Sequence, residues 1–135
     1  MSIIKYFISY VLTAIFFFVI DMIWLGVVAK NMYRNYLGNF LSDQVNWTAA
    51  IIFYLLYIIG IQILAVYPAI AKNSALTALL LGAVFGFMAY ATYDLTNLAT
   101  LKNWPLTITI IDIIWGTCLT AIVSLAGYYV VNLVK

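Results

Sequence analysis

The sequence predicts an all-α integral membrane protein: a four-helix bundle with antiparallel neighbours and a longer first loop patterned like an interfacial helix. Three observations carry this. The 135 residues are 67% hydrophobic and 7% charged, with a mean hydropathy of +1.12, whereas soluble domains carry about 25% charged residues. The chain divides into four apolar runs, each close to the ~20 residues that cross a hydrocarbon core at ~1.5 Å per residue. Eleven Tyr and four Trp suit a protein with two water–lipid boundaries, where amphipathic rings collect.

The first run, 6–28, follows Lys5 much as a secretory leader would. Asp21, the length of the run and the lack of a small-x-small cleavage pattern argue that it stays as an anchor. The second run is 47–70, the third 74–99 and the fourth 105–132, where Pro105 suits the first turn of a helix. Together they make one membrane domain over 1–135, with no soluble domain expected beside it. Breaks are expected from Lys30 to Asn46, from Pro68 to Asn73 and from Lys102 to Pro105, and the last two are short enough to force antiparallel neighbours. In the longer first loop, Tyr33, Tyr36, Leu37, Phe40 and Leu41 recur at helical spacing, so a helix lying on the membrane surface is expected there, as a connector before a lid. Four spans put both termini on one face with Lys5, Lys72 and Lys135, and leave Lys30, Arg34, Lys102 and Asp43 on the other. That slight bias places the termini in the cytoplasm.

Composition also excludes function classes. A net charge of +2 without a basic run gives no case for nucleic acid. The absence of histidine removes haem and His-ligated di-iron or zinc, and Cys118 alone can build neither a disulfide framework nor a thiolate metal site. Any metal would be a hard cation on oxygen ligands; none is assigned, and Asp21, Asp94 and Asp112 are where one would have to sit. No lysine lies within a span, which excludes a Schiff-base pigment. No cofactor is identified.

Three of the four acidic residues stand inside apolar runs, in Ile20-Asp21-Met22-Ile23-Trp24-Leu25-Gly26, in Ala89-Tyr90-Ala91-Thr92-Tyr93-Asp94-Leu95-Thr96-Asn97 and in Ile111-Asp112-Ile113-Ile114-Trp115-Gly116. Asp21 and Asp94 each come about seven residues before the end of a helix running away from the terminal face, and Asp112 about seven residues after the start of one running back. All three therefore lie ~10 Å below the same face. Ala78, Gly82, Gly86, Tyr90 and Asp94 form one stripe at intervals of four, with Asn97 extending its polar end. Tyr10, Ala14, Phe17, Asp21 and Trp24 share a face of the first helix, and Asp112, Gly116 and Thr120 one of the fourth. These stripes should pack the first, third and fourth helices together, with the second, carrying Tyr54, Tyr57 and Gln62, closing the bundle. Of the two Asp-x-x-Trp copies, Trp24 should lie nearer the surface than Asp21 and Trp115 deeper than Asp112, lining a cavity at two levels.

A carboxylate in hydrocarbon costs about 2.5–3.5 kcal/mol on insertion scales. The plain alternative is that each aspartate is hydrogen-bonded to a Tyr, Trp, Thr or Asn on a neighbouring helix and serves packing alone. All six basic residues lie at segment ends, so carboxylates crowded without a cation must share protons or hold a cation or ligand, unless Lys102 or Arg34 snorkels inward. Trp47, Trp104, Tyr6, Tyr67, Tyr128 and Tyr129 read as boundary anchors and Cys118 as core.

The three aspartate motifs, the middle one above all, resemble domain-of-unknown-function family two-one-seven-seven, and the likeness runs over nearly the whole chain. The resemblance implies a small multi-pass protein of the bacterial inner membrane and supplies no catalytic residue. The residues themselves therefore carry the functional argument. The first reading is a one-sided intramembrane site for a lipid, isoprenoid or other apolar ligand, with Asp94 or Asp112 as acid and Asp21 its partner in an acid–base lipid modification. Trp24, Tyr90, Tyr93, Asn97 and Trp115 would bind the ligand. The alternative is a small proton- or cation-coupled transporter working as a homo-oligomer, which wants a site reachable from both faces; an assembly or sensor subunit is the third.

Overall fold

The computed structural model describes residues 1–135 as five helices without strands. Four are long and apolar enough to cross a membrane: α1 (Ile3–Val28), α3 (Trp47–Ala71), α4 (Ala75–Thr100) and α5 (Leu106–Val134). The fifth, α2 (Lys30–Leu37), occupies the first loop. The protein is thus a membrane-embedded multi-pass bundle, as its composition predicts.

Local chemistry sets the ends. Ser2 accepts from the Lys5 N–H at 3.4 Å, starting α1 ahead of its apolar run. Asn46 and Ser74 cap α3 and α4 in the same way, each at 3.1 Å, which satisfies amides that have no partner within the helix. Asn73 (φ 49°) and Asn103 (φ 60°) supply the left-handed residues that turn the chain back, a conformation Asn tolerates better than most. The break expected from Pro68 to Asn73 falls at its far end, after Ala71, and the helix runs on through Pro68. A wide turn over Gln62–Val66, closed by the Tyr67 N–H on the Gln62 carbonyl, precedes it, and such widening relieves the clash and missing donor that proline brings. A second wide turn, Trp24–Val28, ends α1.

The packing corrects one expectation. α5 is the central helix, and α1 and α4 both lie against it while barely meeting each other; α3 closes the bundle through Gln62–Val66. The small-residue stripe explains the closest pair: a side chain at Gly82 or Gly86 on α4 would strike Thr120, Ser124 or the Gly116 carbonyl on α5. Phe17, Ile58, Leu119 and Val123 form the apolar centre, each with no exposure. Toward the terminal face, Gln62 is buried and donates to Thr13 Oγ1 (2.9 Å) and the Ser9 carbonyl (3.4 Å).

Two further expectations change. Cys118 is exposed on α5, because it stands two residues from both Gly116 and Thr120 and helical rotation turns it away from their packed stripe. Tyr128 is buried and donates to Asn73 Oδ1 at 3.3 Å, tying α5 to the α3–α4 turn. Trp47 stays exposed at the start of α3, where a boundary ring is expected.

Candidate functional site

Helix rise and direction bring three carboxylates to one level, and the fold brings them to one cavity. Asp21 on α1, Asp94 on α4 and Asp112 on α5 line a space of about 550 Å³ beneath the loop-bearing face. All three side chains are buried, Asp94 to 1% exposure. Each stands on a face that packing already turns inward: Asp21 one turn beyond Phe17, Asp94 two turns beyond Gly86, and Asp112 one turn before Gly116.

Their surroundings differ. Asp21 Oδ2 accepts from the Tyr54 hydroxyl at 3.0 Å. Asp112 Oδ1 accepts from Tyr33 at 2.7 Å, and that hydroxyl in turn accepts from Trp24 Nε1 at 3.1 Å. Neither oxygen of Asp94 has a donor. The Asp112 carboxyl shares the cavity wall with it and is close enough to interact with it. Burial pushes the Tyr33 phenol up, and the Asp112 carboxylate pushes the same way, so Tyr33 remains a neutral donor.

Trp24 and Trp115 stack face to face, with ring centroids 4.2 Å apart and planes 7° from parallel. The two separate levels expected for them merge because helical side chains lean toward their own N-termini. On antiparallel helices Trp24 leans deeper and Trp115 leans outward until the rings meet. Tyr90 and Tyr93 also line the cavity; Asn97 does not, standing one turn nearer the face and beside Tyr93. No group of three or more carboxylates or thiols is arranged to hold a metal ion, so Asp21, Asp94 and Asp112 share a cavity without forming one ligand set.

Sequence reasoning missed two parts of the wall. Trp104, expected at the membrane boundary, is buried at 7% exposure against Leu37 and Ile108, with its indole N–H on Thr109 Oγ1 at 3.1 Å. α2, expected as a connector, covers the cavity and inserts Tyr33, Leu37 and the following Leu41 into its lining. The spacing of Tyr33, Leu37 and Leu41 was the available signal: they form one side of the amphipathic pattern, and that side faces the cavity.

The cavity is open on one flank. The α3 and α4 backbones approach closely only along Gln62–Ala71. Nearer the loop-bearing face, Gly60 and Tyr57 still pack on Phe85, and it is the first turns of α3, around Phe53, that stand off. Phe53 on α3 and Tyr93 on α4 both line the cavity and are half-exposed. Both stand about six or seven residues inside their helices, hence ~10 Å below the face, at the depth of the hydrocarbon.

No curated protein and no solved structure matches the chain. The family model described as a predicted membrane protein (DUF2177) matches residues 6–129, and the chain belongs to that family.

Proposed function

We propose that the protein takes a lipid or other apolar ligand from one leaflet into the carboxylate-lined cavity, with Asp94 and Asp112 as an acid–base pair and Asp21 as their partner. One observation carries the reading: Asp94 is buried with both oxygens unpaired on the wall of a cavity large enough for part of a lipid. Packing alone gives no reason for it, because an unpaired buried carboxylate destabilises a fold. Beside Asp112, it can share a proton and pass it to a bound molecule, as a general acid does. The stacked Trp24–Trp115 pair with Tyr90 and Tyr93 provides the flat aromatic wall on which an isoprenoid or acyl chain would lie.

The test is native mass spectrometry of protein extracted gently from its own membrane, beside Asp94→Asn. Wild type should retain a lipid-sized mass that the variant lacks, with equal thermal stability in detergent. Empty wild-type protein, or a variant that keeps the same mass, would overturn the reading, and a variant that loses its fold would leave the site to Asp21 and Asp112 alone.

A proton- or cation-coupled transporter is the second reading, favoured by one observation. Below the apolar centre, the buried Gln62 leaves its Oε1 without a partner beside Ser9 and Thr13, a polar station toward the terminal face. Proton or cation flux in liposomes, abolished by Asp21→Asn or Asp112→Asn, would support it. Silent liposomes under several gradients would count against it, as would the fully buried layer of Phe17, Ile58, Leu119 and Val123. We place the protein in the bacterial inner membrane with cytoplasmic termini; cysteine introduced at Lys102 should then label from outside the cell, and one introduced at Lys72 should not.

A further inference from the structure

We propose that the ligand is an amphiphile with a protonated-amine head, entering sideways from the bilayer between α3 and α4. This rests on reading the cavity as a ligand site.

The head group follows from a count of donors and acceptors. The cavity holds three carboxyl groups and neither Lys nor Arg. Five of its eight donor side chains are spent within the wall: Tyr54 on Asp21, Tyr33 on Asp112, Trp24 on Tyr33, Trp104 on Thr109, and Tyr57 paired with Thr120 at 2.7 Å. The Tyr90, Tyr93 and Trp115 donors that remain carry no charge. Acceptors are in surplus, the two Asp94 oxygens above all. What such a wall lacks is positive charge, and an ammonium supplies one charge with three donors. A phosphate or carboxylate head would add negative charge where it has no cationic partner. The aromatic rings agree, since the faces of Trp24, Trp115 and Tyr90 attract cations electrostatically. The hydrocarbon body follows from the portal: Phe53 and Tyr93 flank an opening at hydrocarbon depth, while α2, held by Tyr33, covers the side toward water.

The experiment uses the full chain in nanodiscs of zwitterionic phospholipid. Tryptophan fluorescence is the readout, because Trp24, Trp104 and Trp115 line the cavity. Dodecylamine, dodecanol, dodecyl phosphate and butylamine are titrated in turn. Dodecylamine should give a saturable change at a concentration at least tenfold lower than dodecanol, with none from dodecyl phosphate or butylamine. Asp94→Asn should weaken dodecylamine at least tenfold and leave dodecanol unchanged. Dodecanol binding as tightly as dodecylamine, or dodecyl phosphate binding at all, would overturn the amine head while leaving a lipid site in place. Butylamine binding as tightly as dodecylamine would overturn entry from the bilayer. No saturable change with any probe would remove both this inference and the ligand site beneath it. Should Asp94→Asn not fold, the ranking of the four probes on wild type decides alone.

Discussion

Tyr33→Phe isolates what holds α2 over the cavity. The substitution keeps the ring and removes one oxygen, which donates to Asp112 at 2.7 Å and accepts from Trp24 at 3.1 Å. A hydrogen bond to a charged group is worth about 1.5–3 kcal/mol and a neutral one about 1. Half-burial of the pair lets water replace part of this, so a net loss of about 2–3 kcal/mol is expected. At 1.4 kcal/mol per tenfold, the undocked population of α2 rises by about 30–150-fold. Eight residues cannot keep a helix in isolation, so undocked α2 should unfold and exchange its amides. Hydrogen exchange in nanodiscs, followed on peptides covering 29–41, should show that acceleration while α4 and α5 stay protected. Arg34→Ala, on an exposed residue of the same helix, is the control. If Tyr33→Phe exchanges within about threefold of wild type, the hydroxyl does not hold α2, and the helix is a connector resting on lipid.

Other predictions follow from the same contacts. Gly116→Ala should cost about 1–3 kcal/mol, because a methyl there collides with the Tyr90 ring; unchanged thermal unfolding in detergent would refute the close approach of α4 and α5. Trp24→Phe should abolish the exciton couplet in circular dichroism expected of rings stacked at 4.2 Å, and a surviving couplet would place the coupled rings elsewhere. Cys118→Leu should alter stability by less than about 0.5 kcal/mol, since the side chain is exposed on the bundle's outer surface. A larger loss would mean that this face is covered, as in a homo-oligomer.

The spans were legible because the bilayer fixes their length and the composition leaves no other class open. The shared level of Asp21, Asp94 and Asp112 was legible because rise per residue and helix direction are one-dimensional quantities. Depth can be counted along a sequence; lateral position cannot. That is why the first, third and fourth helices were expected together without a centre, although α1 and α4 each pack on α5. It is also why Trp104 was expected at the boundary: a tryptophan at a helix start reads alike whether it faces lipid or, as here, Leu37 and Ile108. Asn97 was expected in the cavity on spacing alone, yet one more turn carries it out of the wall. The Trp24–Trp115 stack needed the lean of side chains along antiparallel helices, a directional fact that spacing does not record.

The three carboxylates are not equivalent, and the difference bears on why they exist. Asp21 and Asp112 each accept from a tyrosine on another helix, so both have a structural use: they tie α1 to α3 and α5 to α2. Packing accounts for those two without any ligand. Asp94 accepts from no donor on any helix. It sits on the helix with the closest neighbour in the bundle, where the same stripe offers Ala78, Gly82 and Gly86 as apolar solutions to the same packing problem. An uncompensated aspartate there costs about 2.5–3.5 kcal/mol by insertion scales, which any small apolar residue would recover. Asp94→Ala should therefore unfold at a higher temperature than wild type while losing whatever the cavity binds. A fall in stability would mean that Asp94 has a structural partner after all, and the site would then rest on Asp21 and Asp112 alone.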